Sequence, residues 1–362
     1  MIELAIPEHP AGLEPALEGI ANVPGVFLLW PRTGKPYLAR TNVLRKRLRR
    51  MLANLGGNAA RVEYELTGSR LESQFLVLEL ARKHLGPRYR EEIRLRFPPY
   101  VKLILSNPFP RTTVTARIGR AKAVYFGPFR SRSTATRFES EFLDLFQLRR
   151  CQEDLVPSPD HPGCMYGEMG RCLRPCQQIV GIAEYAHEAA RVAEFLRSSG
   201  RSLAGPAESE RERLSREMDF EGAALMHQRA KRIGEVIALR DEMAAELESL
   251  HAIAVLPAAE KDTVNLGWLR GGWWKGFSKI EFSMGEGKPF SLDARLRELA
   301  QAIEPGPSAG SIERMEHLAV LSRWRYSSWC DGELLMVEDW SKIPYRRLVN
   351  AVARIAHAKE QN

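Results

Sequence analysis

Apolar positions change their period along the chain, and each change predicts an element. Residues 25–30 (GVFLLW) form a bulky apolar run, residues 31–35 supply turn chemistry, and residues 36–40 (PYLAR) complete a β-hairpin signal. Residues 42–57 (NVLRKRLRRMLANLGG) then switch to a helical period. Leu44, Leu48, Met51 or Leu52, and Leu55 share one face, Asn42 is the expected N-cap, and two glycines stop the helix. Residues 111–129 are strand-like, and residues 133–150 turn helical with Ser133 as the expected cap. Phe138, Phe142 and Phe146, four apart on one helix, read as core. A helix over 181–199 repeats Ile182, Tyr185, Ala189, Val192 and Leu196, and ends before a linker at 201–207. Residues 208–251 are predicted to continue as helix, too long for an ordinary globular element, so as a coiled-coil hairpin, a partner-binding arm or a plain antiparallel pair. From residue 262 alternation returns in Val264, Leu266 and Trp268, with a turn at 270–272 and a return through Phe277, Ile280 and Phe282, which is a hairpin. A helix over 291–303, a linker at 305–310, a helix from Ser311, a strand over 334–337 and a last helix after Pro344 complete the prediction.

This alternation of sheet and helix predicts an α+β, multidomain chain. At 362 residues it exceeds the usual size of one core, so several domains of about 100 residues each are expected. The predicted divisions are 1–100, 101–180, 181–255 and 256–362. No run of eighteen apolar residues occurs, and the opening MIELAIPEHPAGLEP places acids and prolines where a signal peptide has a basic then apolar run. The expectation is a cytoplasmic protein without a membrane partner. Six of seven tryptophans lie in the last hundred residues, as a compact core or a docking surface of unread role.

Charge narrows the partner. Fifty-three Lys and Arg against 45 Asp and Glu give +8, either a solubilising surface or the footprint of an anion. Distribution favours the anion. Arg40, Arg45, Lys46, Arg47, Arg49 and Arg50 follow one another with no acid between them. Arg117, Arg120, Lys122 and Arg130 are interleaved with Tyr125, Phe126 and Phe129, a pattern suited to a phosphate track with ring stacking, and DNA is the expected partner.

Four of the five cysteines, Cys151, Cys164, Cys172 and Cys176, fall at spacings of 12, 7 and 3 intervening residues among Pro, Gly and Asp. Thiolates on such loops wrap one soft metal centre. Free thiols and disulfides are the competing readings, and clustering in a chain without a secretory signal argues against both. Spacing leaves structural zinc (Zn2+) and an iron–sulfur cluster both open.

Several of these stretches together resemble one family. Gly25-Val26-Phe27, Tyr37-Leu38-Ala39 and the helical Arg47 resemble the GIY-YIG nuclease signature of the UvrC excinuclease family. Residues 71–89 resemble its acidic helix closing in a Pro-Arg-Tyr turn, residues 124–129 (VYFGPF) its YFGPF element, and residues 170–176 (GRCLRPC) its GRCLGPC. The resemblance covers residues 20–250. It implies a GIY-YIG three-stranded sheet with flanking helices, a 4Fe-4S cluster on the four cysteines, and Mg2+ or Mn2+ at a nuclease site. There Arg47 would face the scissile phosphate, Tyr37 the metal-bound water, and Glu79 would hold the divalent metal, with Glu72 on the same helical face as the alternative. Residues 214–233 resemble the UVR motif through which such proteins meet their excinuclease partner, UvrB.

The chain also departs from the pattern. Phe27, Ala39 and Met51 stand where the motifs carry tyrosine, glycine and tyrosine, and His227-Gln228 replaces an Arg-Asp pair. A second, RNase H-like nuclease domain is not recognisable. Two functions therefore stand: a metal-dependent, structure-selective endonuclease of nucleotide excision repair, and a catalytically silent DNA-binding adaptor of a repair complex.

Overall fold

The computed structural model describes residues 1–7, 12–55, 57–119, 122–282, 291–307 and 312–360, with residues 359 and 360 described by their backbone alone. It is α+β, built from small antiparallel sheets and helices, and the chain divides into two compact units. The first gathers residues 1–96, 251–305 and 319–362, so both ends of the chain share it; the second gathers 97–250 and 306–318. The four consecutive segments expected from composition are thus collected into two. Among the described residues no helix is long and apolar enough to cross a membrane.

The first unit holds two four-stranded sheets. One runs β1 (Ile2–Ala5), β4 (Ala59–Leu66), β2 (Gly25–Pro31), β3 (Tyr37–Thr41) in spatial order. The predicted hairpin is β2–β3, with Phe27 opposite Ala39 and Leu29 opposite Tyr37. β1 pairs with β4, so this sheet has four strands where the resemblance implied three. β2 is apolar throughout because both its faces are buried. Phe27 and Leu29 meet Leu17 of α1 (Leu13–Glu18) and Leu44, Leu48 and Leu52 of α2 (Leu44–Asn54), while α3 (Arg70–His84) packs on the other side. Asn42 does not cap α2; the cap position is Val43, which has no acceptor side chain. The amide of Lys46 is instead satisfied by Asn22 Oδ1 at 3.1 Å, from 24 residues upstream.

The other sheet runs β11 (Trp273–Glu281), β10 (Thr263–Arg270), β9 (His251–Pro257), β12 (Glu333–Val337). Its hairpin and β12 match the sequence pattern; β9, at its centre, begins on the last residue of the stretch predicted as helix. α10 (Leu292–Gln301) and α12 (Tyr345–Glu360) cover one face. The opposite face meets α3, where Phe75 stacks on Trp274 with centroids 4.3 Å apart. α3 is therefore shared by both sheets. Gly68 makes the approach possible, since a Cβ there would lie 2.0 Å from the Ala258 carbonyl carbon.

The second unit is built on β6 (Arg111–Thr115), β5 (Tyr100–Ile104), β7 (Ala123–Gly127) and β8 (Ala245–Glu246). α5 (Arg132–Leu143) is capped by Ser131, reciprocally with Thr134, rather than by Ser133, and it ends earlier than predicted. Phe138, Phe142 and Phe146 are core, as expected, together with Tyr185, Val192 and Leu196 of α7 (Ile182–Arg197). The expected linker at 201–207 is helical, within α8 (Arg201–Arg216). Of the alternatives for residues 208–251, the described structure has two helices rather than one continuous arm. Met218 takes a left-handed conformation at φ 61°, and α9 (Phe220–Ala238) starts anew from the Asp219 cap. α8 and α9 pack as a hairpin.

Candidate functional site

Tyr37 opens β3 and is exposed, with its ring 6.1 Å from that of Phe27. Phe27 is fully buried against α2, so this ring, which stands where the resemblance places a tyrosine, belongs to the core. On α2, Arg47 and Arg45 are half-buried, whereas Lys46 and Arg50 are exposed. The run is less uncompensated than its sequence implies, because Arg49 pairs with Glu14 at 2.6 Å. Glu79 is exposed on α3. Partial burial of its carboxyl raises its pKa, with Arg82 opposing and Glu65 reinforcing. Glu72 is committed elsewhere: one carboxylate oxygen accepts the Gly68 amide at 2.7 Å and the other the Asn265 side-chain amide at 3.0 Å. Burial raises its pKa despite those bonds.

Tyr37 and Arg40 line one cavity of about 340 Å³; Arg47 and Glu79 are not among its lining residues. In the second unit Arg117 and Lys122 are exposed on either side of the β6–β7 connection, and Arg120 lies outside the described residues. Arg130 is held to Asp241 at 2.9 Å. The expected stacking by Tyr125, Phe126 and Phe129 is corrected by their burial: Phe126 and Phe129 lie in the core with α5, while Tyr125, on the other face of β7, is covered beside Lys102 and its hydroxyl accepts the Gly119 amide at 2.8 Å.

The cysteines sit on the loop after α5. All four are free thiols, with Cys172 and Cys176 buried, Cys151 half-buried and Cys164 exposed. Burial pushes the Cys172 thiol up to about 11; a backbone amide opposes this, and the other three thiols add to it. Cys172 is therefore within electrostatic reach of the other three sulfurs. Among the described residues, however, no three His, Cys, Asp or Glu side chains are drawn in closely enough to hold an ion as they stand. Their surroundings suit an anionic thiolate centre. The Arg174 amide donates to Cys172 Sγ at 3.4 Å, and Arg149 Nη1 donates to Cys151 Sγ at 3.4 Å. Arg149 is 1% exposed, fixes the loop through the carbonyls of Phe109 and Glu153, and keeps Nη2 buried without a partner. A buried cation with a spare donor beside the thiols fits either metal. Sequence reasoning missed this role of Arg149, since only the fold distinguishes it from Arg150, which pairs with Asp144 instead.

The family described as UvrC/Cho excinuclease, middle domain, matches residues 99–195. The UvrABC system protein C of Moorella thermoacetica is 26% identical over 325 residues, 86% of this chain and 53% of that protein. The chain is UvrC-like. The UvrABC system protein C of Alcanivorax borkumensis is 27% identical over 257 residues, covering 65% of the chain and 42% of that protein, and that of Desulfatibacillum aliphaticivorans is 24% identical over 327 residues, covering 86% and 54%. This UvrC-like chain spans about half the length of the curated relatives it matches. No solved structure matches it. The family match takes in β5 to β7, α5, all four cysteines and most of α7.

Proposed function

We propose that the chain acts in nucleotide excision repair as a DNA endonuclease whose site lies on β3, α2 and α3 of the first unit. Hydrolysing a phosphodiester needs a divalent metal on the phosphate, an activated water and a cation against the developing charge. Arg47 would supply the cation, Tyr37 would orient the water, and Glu79 would hold Mg2+ or Mn2+. Glu79 is the better ligand of the two candidates because the Glu72 carboxylate already accepts two hydrogen bonds. The observation that carries the reading is the match to the excinuclease middle domain, joined to a cation-rich α2 beside an exposed Tyr37.

The four cysteines would hold a 4Fe-4S cluster or a zinc ion, which when bound supplies a rigid cross-link for a loop with little regular structure. Arg149 and the Arg174 amide would stabilise the thiolates. The α8–α9 hairpin would carry the contact to UvrB, because Met218, Phe220 and Leu225 are exposed apolar residues around its turn.

Incision of a labelled, damaged duplex by anaerobically prepared protein with Mg2+ or Mn2+ tests the reading. Arg47→Ala should lower the cutting rate by about 10²–10³ while leaving DNA binding largely intact. One observation favours the adaptor: Phe27 has no hydroxyl and Ala39 no glycine freedom beside Tyr37. DNA binding with no cut under either metal, with or without UvrB, would establish the adaptor instead.

A further inference from the structure

The cavity beside Tyr37 has features that phosphodiester cleavage does not use. It is lined by β3, α3, the short α4 (Tyr89–Glu92) with the residues flanking it, and the second half of α11 (Ile312–Arg325). Leu38, Val77, Leu85 and Val320 make apolar walls, and Arg40 and Arg323 lie at its edge. On the wall from α3, both side-chain amide atoms of Gln74 are buried and neither has a hydrogen-bond partner. A buried amide left with an unused donor and an unused acceptor is costly, and it suits a ligand that presents both.

The charges around the cavity do not balance. Arg40 lies in the field of Arg70 and Arg323, and burial together with these two cations depresses its pKa, against the pull of Asp331. Asp331, whose oxygens accept the Arg70 backbone amide at 2.7 Å and the Trp324 indole N–H at 2.8 Å, offsets one of these three cations. Glu92, on the far side, is paired with Lys35 at 3.7 Å. Trp329 holds the cations in place, with the Arg40 guanidinium 5.9 Å and the Arg70 guanidinium 5.0 Å from its ring centroid. Three arginines against one carboxylate leave an excess of positive charge that calls for an anion.

We propose that this cavity binds one nucleotide unit, its base between the apolar walls with its edge on the Gln74 amide, and its phosphate on Arg40 and Arg323. A Gln amide offers the paired donor and acceptor that a base edge matches. About 340 Å³ falls within the usual range for small-ligand pockets. The tryptophan-rich carboxyl-terminal segment thereby gains a role, because Arg323 and Trp329 both come from it. The nucleotide is either free or one unstacked unit of a DNA strand.

Isothermal titration of the full chain separates these sources and tests the assignment. The probes are deoxynucleoside 5′-monophosphates, the matching deoxynucleosides, inorganic phosphate and a short single-stranded oligonucleotide. Monophosphates should bind more tightly than nucleosides or phosphate alone; competition by the oligonucleotide assigns the strand, and its failure assigns the free nucleotide. Arg323→Gln, on an exposed residue, should weaken monophosphate binding about tenfold while nucleoside binding changes little. Gln74→Leu, which conserves volume, should remove discrimination between bases. Equal affinity for nucleosides and monophosphates, no binding of any probe at millimolar concentration, or indifference to both variants overturns the assignment. DNA incision measured alongside keeps the two readings apart: cutting without nucleotide binding sinks only the cavity assignment, and nucleotide binding without cutting sinks only the nuclease.

Discussion

Glu72 and Glu79 show what a single position can and cannot reveal. Seven residues apart on α3, they share a helical face, and a sequence gives no reason to prefer one as a metal ligand. The fold does, since Asn265, 193 residues away, donates to Glu72, and Gly68 donates from the turn that leads into the helix. Glu72→Ala should lower unfolding free energy by about 1–3 kcal/mol, read from urea midpoints, because it strips two donors of their acceptor. Glu79→Ala should stay within about 0.5 kcal/mol of wild type, yet abolish cutting. A stable, inactive Glu72→Ala protein with an active Glu79→Ala counterpart would reverse the assignment. Arg149 carries the same lesson: adjacent to Arg150 in sequence, it is buried on the cysteine loop, a distinction set by packing against Phe109 and Tyr185.

Elements are legible where their own residues decide them. The β2–β3 hairpin, the β10–β11 hairpin, α10 and α12 follow from period and turn chemistry. Those that depend on distant partners are not. β9 is hidden at the end of an apparent helical run and is fixed by pairing with β10 and β12. α8 absorbs a Pro- and Gly-containing stretch whose composition predicts a linker, because it packs against α9. His251, the first residue of β9, makes its strand sensitive to pH. Its Nδ1 accepts the Gly271 amide at 2.8 Å, which requires an unprotonated nitrogen, and burial followed by Arg270 depresses its pKa. Its contribution to stability is therefore complete above the unfolded pKa of about 6.5 and is lost as pH falls through the lower folded value. The difference in melting temperature between wild type and His251→Gln should narrow from pH 7.5 to pH 5. A gap that stayed constant with pH would exclude the residue as the titrating group.

At the scale of the molecule, the sequence suggests beads in order, whereas the first unit is assembled from both ends of the chain. Nothing in residues 1–96 announces this except α3, whose buried positions Leu71, Phe75, Leu78 and Ala81 leave no clean polar face. A helix apolar on both sides needs two partners. One is the β2–β3 sheet, and the other is the sheet containing Trp274 and Phe277, whose rings lie 4.3 Å and 6.0 Å from that of Phe75. Phe75→Ala should accordingly cost about 3–5 kcal/mol in the intact chain, as a core truncation does. The dependence extends to the folding of residues 1–96. In a chain ending at Leu250, Phe75 loses Trp274, Glu72 loses Asn265, and Arg70 loses the Asp331 carboxylate. Residues 1–96 should then open readily, and trypsin should cut the arginine-rich α2 at a protease concentration that leaves α2 of the full chain intact. Mass spectrometry of the early fragments reads this out. Equal protection of α2 in both chains would mean that the first sheet folds on its own, and that the carboxyl-terminal sheet only leans on it.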